Sequence, residues 1–110
     1  MHVTTLIDAT TACIIPDGEI DQGALPKLHA VLEALPQDVT ELVWDLQSTP
    51  FMDMAGLHLL VDPQPPTHPR RTTVTGMHPQ PLHLLHTAAQ VFPTLGFTEL
   101  LPDARAHEAA

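Results

Sequence analysis

A single cysteine, Cys13, stands among 110 residues, so no disulfide can form within the chain and its stability has to come from packing. In the apolar run Ala12-Cys13-Ile14-Ile15 that thiol is expected to be buried and inert. Basic residues are scarce too: 4 Lys and Arg stand against 13 Asp and Glu, a formal net charge of −9. Without a basic patch, such a chain repels nucleic acid and anionic membrane surfaces, and neither is expected among its partners. No apolar run approaches the roughly 18 residues of a membrane span. Met1-His2-Val3-Thr4-Thr5 lacks the positive start and apolar stretch of a signal peptide, so a cytoplasmic protein without membrane insertion is expected.

The chemistry-bearing motifs are missing as well. There is no Gly-x-x-x-x-Gly-Lys phosphate loop, no Cys-x-x-Cys and no nucleophile elbow. The chain is also short for an enzyme that encloses its substrate. Asp45 and Asp53 are candidates to be neighbours at the strand ends, the usual ligand side of an α/β sheet, but nothing completes a catalytic constellation around them. Eight histidines raise the question of a metal. His83 and His86 are three apart on a helix, with His78 or His58 as a third ligand in principle. They fall between Leu82, Leu85 and Ala89, on the face expected to point to water, and no carboxylate or cysteine spacing marks a dedicated site. Neither catalysis, a metal nor a cofactor is expected.

What is present is an alternation of strand-like and helix-like segments without a repeat. Val3 to Ile7 and Thr10 to Ile15 are rich in β-branched residues and flank a turn at Asp8-Ala9, so two antiparallel strands open the fold. After the turn cluster Pro16-Asp17-Gly18 comes a helical pattern with Leu25, Leu28, Leu32 and Leu35 on one face and Pro26 in its first turn. Leu42 to Leu46 reads as a central strand covered on both faces. Asp53 has the side chain to cap a helix of about two turns whose inward face carries Leu57, Leu60 and Val61. Asp62-Pro63 ends that helix, and Pro63, Pro65, Pro66 and Pro69 force an extended, exposed connection to a strand from Arg71 to Thr75. Gln80-Pro81 starts a helix with Leu82, Leu85, Ala89 and Phe92 on one face. A last element lies near Phe97 to Leu101, and an Ala-rich tail, 103–110, is expected to fray. The alternation predicts an α/β sheet with crossover helices in one domain spanning 1–110.

Two motifs give this order a closer match. Gly18-x-Ile20-Asp21 lies one helix and one strand before Phe51-Met52-Asp53-x-Ala55-Gly56-Leu57, with Asp45 ending the strand between them. In element order and in these residues the chain resembles the STAS domain, the module of anti-sigma factor antagonists and of the cytoplasmic tails of sulphate transporters. The resemblance implies a mixed four- to five-stranded β-sheet with helices packed mainly on one face, although the second helix is shorter than the family generally has. It also implies that the position of Met54 is where regulatory members carry a serine phosphorylated by a partner kinase. A thioether cannot accept a phosphate.

The family's contact region maps onto Asp21, Phe51, Asp53, Met54, Gly56 and Leu57. At a helix N-terminus free N–H groups and the macrodipole tolerate a phosphate, whose charge and bulk then spoil a contact surface built for a hydroxyl. Met54 either packs sideways into the domain, leaving a fold that binds nothing there, or, with Phe51 or Met52, presents an apolar contact that no kinase can dislodge. Gly56, lacking a side chain, would let another backbone approach. Asp53 serves as helix cap, as a partner contact, or as both. Asp21 caps or braces the first helix, and Asp17, Glu19 and Asp21 form an acidic loop, either merely solvated or suited to a basic partner. Ser48, the sole serine, and Thr49 are candidates to stand in as phosphoacceptors, weakened by lying before the helix start and outside its dipole setting.

Taken together, the resemblance implies a non-enzymatic interaction regulator similar to an anti-sigma factor antagonist. Its implied partner is an anti-sigma factor of the histidine-kinase-like ATPase type, and phosphorylation at the usual site would not switch it. A STAS subunit of a larger assembly, such as a stress-signalling complex or the ATPase-bracing part of a lipid transporter, remains an alternative. So does a small-ligand or nucleotide sensor, and homodimerisation through an open sheet edge is compatible with each.

Overall fold

The structure, a computed structural model, describes residues 1–61, 70–94 and 96–100. The proline-rich connection and the tail discussed above fall on residues outside these. Strands β1 (His2–Asp8) and β2 (Thr11–Asp17) pair antiparallel in a register that sets Asp8 against Thr11. The turn is therefore Ala9-Thr10, one residue later than Asp8-Ala9. Ala9 takes φ 55°, the sign that a two-residue hairpin needs at its first central position so that the turn follows the strand twist.

From β2 the chain runs through a 3-10 turn, Gln22–Ala24, into helix α1 (Leu25–Glu33), strand β3 (Glu41–Asp45), helix α2 (Met54–Val61), strand β4 (Arg71–Thr75) and helix α3 (Pro79–Val91). A second 3-10 turn covers Phe97–Leu100, within the last element expected from the sequence. The four strands lie in the order β1-β2-β3-β4, with β2, β3 and β4 parallel. Parallel neighbours need crossovers, and α1 and α2 supply them. The result is a mixed α/β sheet, as the alternation predicts.

One face of this sheet carries the core. Ala12 and Ile14 of β2, Leu42 and Trp44 of β3 and Val74 of β4 are buried beneath Leu28 and Leu32 of α1, Leu57 and Leu60 of α2 and Leu85 and Ala88 of α3. On the other face no described residue is buried: Cys13, Ile15 and Val43 are half-buried and Leu6 is exposed. The expectation that β3 is covered on both faces is thus corrected. Glu41 and Asp45 bracket its apolar centre at period two and leave only Val43 as an apolar residue on the outer side. Cys13, on that side, is half-buried rather than enclosed. Desolvation, and secondarily the charge of Asp45, raise its thiol above the ordinary value of 9.0, which keeps it in the unreactive protonated form.

Two helices turn out as their periodicity implies and one is rotated. In α1 Leu28 and Leu32 are buried, Leu35 follows just beyond, and Pro26 sits in the first turn. In α2, Gly56 and Leu59 join Leu57 and Leu60 inside, so the helix is apolar nearly all round, with His58 exposed. In α3 the inner face is Pro81, Leu85 and Ala88, whereas Phe92 is 43% exposed. The set Leu82, Leu85, Ala89 and Phe92 was one step out of phase because Leu84 and Ala89 flank the inner stripe and extend its apolar width. Within the core, Trp44 Nε1 has no hydrogen-bond partner among the described residues, and an unsatisfied buried donor costs about 1–3 kcal/mol.

Candidate functional site

The junction before α2 is assembled from three chain segments. The loop leaving β2 runs beside residues 48–53: the Gly18 N–H donates to the Ser48 carbonyl at 2.9 Å, the Ile20 N–H to Phe51 at 3.0 Å, and the Asp53 N–H back to Ile20 at 3.1 Å. Ile20 and Met52 form a parallel bridge, and both side chains are fully buried. The two sequence motifs are therefore one object, a short extra ladder at the C-terminal end of the parallel strands.

Asp53 organises the helix start. Its Oδ1 accepts the Gly56 N–H at 2.9 Å, the N-cap geometry expected of it, and its Oδ2 accepts the Gln22 N–H at 3.1 Å. One carboxylate thus serves the N-termini of both α2 and the 3-10 turn leading to α1. Asp21 caps that same turn through Oδ1 and the Ala24 N–H at 3.2 Å, in agreement with its expected bracing role. Asp45 is engaged elsewhere: its carboxylate accepts the Gln47 backbone N–H at 3.1 Å and the Gln47 side-chain amide at 3.4 Å. Asp45 and Asp53 share no partner among these bonds.

Gly56 is buried, and the backbone that approaches it is this chain's own. A Cβ at this position would lie 2.6 Å from Ile20 Cγ2, 2.8 Å from the Ile20 carbonyl oxygen and 3.1 Å from Met52 Cγ. The glycine lets the first turn of α2 seat on the Ile20–Met52 ladder. Leu57, fully buried, belongs to the core, as does Met52. The part of the candidate surface open to a partner reduces to Asp21, exposed; Phe51, 40% exposed; and Asp53 and Met54, half-buried. Met54 packs one side against the core and is the first residue of α2.

The two hydroxyls upstream separate cleanly. Thr49 is fully buried, its hydroxyl donating to the Pro16 carbonyl at 3.3 Å, so it is withdrawn as a stand-in phosphoacceptor. Ser48 is exposed but outside the helix start. Among the described residues no group of three or more His, Cys, Asp or Glu is placed to hold a metal ion. His83 is exposed and His86 half-buried on α3, while His78 hydrogen-bonds the Gln47 carbonyl and His58 packs edge-on to the Phe97 ring at 5.6 Å. No described helix is long and apolar enough to cross a membrane.

Sequence reasoning missed Gln80. From the first turn of α3 its Oε1 accepts the Met52 N–H at 2.9 Å and its Nε2 donates to the Met52 carbonyl at 3.0 Å. This two-point amide clamp fixes the residue between exposed Phe51 and the cap. A glutamine beside Pro81 at a helix start was a visible signal, but its partner lies 28 positions away. A shallow cleft beside the junction is lined by Leu25, His29, Ala55, His58 and Leu59.

No family model matches the chain, and no curated protein matches it in sequence. Solved structures do match in fold. The anti-sigma factor antagonist SpoIIAA in its unphosphorylated form superposes with a TM-score of 0.58 at 23% identity over 84% of this chain and 82% of its own. An anti-sigma factor antagonist from Mycobacterium paratuberculosis gives 0.57 at 22% identity over 92% of this chain and 85% of its own. The Bacillus cell fate determinant SpoIIAA in its phosphorylated form gives 0.61 at 19% identity, covering 99% and 100%. The chain has the STAS fold of these antagonists.

Proposed function

We propose that the chain is a non-enzymatic regulator that binds an anti-sigma factor of the histidine-kinase-like ATPase type through Asp21, Phe51, Asp53 and Met54, and that phosphorylation at the helix start does not release it. The observation carrying this reading is the position of Met54. It opens α2 directly after the Asp53 cap, half-buried, where unpaired N–H groups and the helix dipole favour an anion. The SpoIIAA structure is known in phosphorylated and unphosphorylated forms. Here a flexible thioether occupies the helix start, three residues after the exposed Phe51, and apolar side chains of this kind suit a protein contact.

Gly56 and Leu57 support this surface from below by seating the helix. The acidic character of the neighbouring loop, with Asp17, Glu19 and Asp21, favours a basic rim on the partner. The test is binding of wild type and Met54→Ser to the anti-sigma kinases of the same genome, with and without ATP. Both proteins are expected to bind, and only the serine variant is expected to be released on ATP addition. Absence of binding to every candidate kinase by both proteins would sink the antagonist reading.

A further inference from the structure

Among the described residues, strand β1 is an edge without the usual protection. Its interior, Val3-Thr4-Thr5-Leu6-Ile7, contains no charge, proline or glycine, and Leu6 and Ile7 are 57% and 49% exposed. Edge strands of soluble proteins are generally blunted by lysine, proline or a bulge, because their outer N–H and C=O groups otherwise template further pairing. The opposite edge, β4, is shorter and opens on Arg71, whose charge faces Glu41 at 3.9 Å.

The hairpin fixes which groups of β1 are unpaired. A two-residue loop closes on a hydrogen-bonded Asp8–Thr11 pair, so by strict alternation His2, Thr4, Leu6 and Asp8 exchange bonds with β2. Val3, Thr5 and Ile7 direct their N–H and C=O outward. From this arrangement we propose that a second copy of the chain pairs with β1, antiparallel about a two-fold axis through Thr5, continuing the sheet across the two molecules.

The strand is self-complementary in that register. His2 stands opposite Asp8 of the second copy, Val3 opposite Ile7 and Thr4 opposite Leu6, and each pair occurs twice, as an isologous interface requires. Val3, Thr5 and Ile7 form on the order of six backbone hydrogen bonds across the axis. Val3 meets Ile7 on the face carrying the helices, and His2 meets Asp8 on the open face. A shift of the axis to Thr4 or Leu6 leaves end residues unpaired and separates the only acid in the strand from the only base. The chain as a whole, at net charge −9 with its histidines neutral, opposes association, and in this register the one histidine of the strand faces its one carboxylate. So narrow an interface implies a weak, reversible dimer in the micromolar range.

Sedimentation equilibrium of the full chain from micromolar to about 1 mM, with hydrogen exchange at both ends of that range, tests the pairing. The expected result is a monomer–dimer equilibrium in which the Val3, Thr5 and Ile7 amides exchange more slowly at high concentration. Thr5→Pro removes an outward donor while sparing the β1–β2 ladder, a position where edge strands accept proline. It is expected to weaken the dimer at least about tenfold without loss of the circular dichroism signature. If that variant does not fold, Leu6→Lys with Ile7→Lys keeps every backbone group and should weaken the dimer through edge lysines. Wild type that stays monomeric to the highest concentration overturns the proposal. So does a dimer whose β1 amides exchange at the monomer rate, or one that survives both variants.

Discussion

Both carboxylate oxygens of Asp53 accept backbone N–H groups, one from Gly56 and one from Gln22, so this side chain is required whether or not a partner exists. Removing it leaves two helix-start donors without an acceptor. Asp53→Ala is therefore expected to cost about 2 kcal/mol, the sum of a cap and a charge-assisted bond. Asp53→Asn, which can still cap α2, should lose less than half of that. Urea denaturation of the three proteins checks the order, and an alanine variant as stable as wild type would remove Asp53 from this role. The capping part was legible in the sequence, because an aspartate just before an apolar helical pattern is a local signal. The Gln22 bond was not, since it joins residues 31 positions apart.

At the scale of elements, α3 does more than cover the sheet. Gln80 in its first turn holds both backbone groups of Met52, tying this helix to the loop that presents Phe51. Gln80→Ala frees a donor and an acceptor and is expected to cost about 1–3 kcal/mol. Amide exchange at Met52 should accelerate far more than exchange in β3, and equal acceleration throughout would mean the clamp is merely part of global stability. Element order and the inner face of α1 followed from residue patterns, because leucine spacing and turn signals are local. The inner face of α3 did not, since Leu82, Leu84, Leu85, Ala88 and Ala89 offer two overlapping stripes and only packing into the common core chooses between them. The openness of the second sheet face was equally hidden. The run Leu42-Val43-Trp44 looks the same whether one side or two are covered.

On the scale of the whole molecule, the charge of −9 is carried mostly at the surface, and the Glu41–Arg71 contact at 3.9 Å is exposed on both sides. Self-repulsion between carboxylates should therefore outweigh any ion pairing that salt would screen. Raising KCl from about 10 mM to about 150 mM, where the Debye length falls from about 30 Å to about 8 Å, is expected to raise the melting temperature by a few degrees. A fall in melting temperature would show that attractive pairs dominate instead. One consequence of the junction concerns inheritance. Its geometry is supported by Asp53, Gly56 and Gln80, and residue 54 contributes only packing to it. The trait and its scaffold are thus encoded at separate positions. A single base change in the methionine codon gives threonine, so a lineage holding this chain stays one step from a hydroxyl at the helix start without rebuilding anything beneath it.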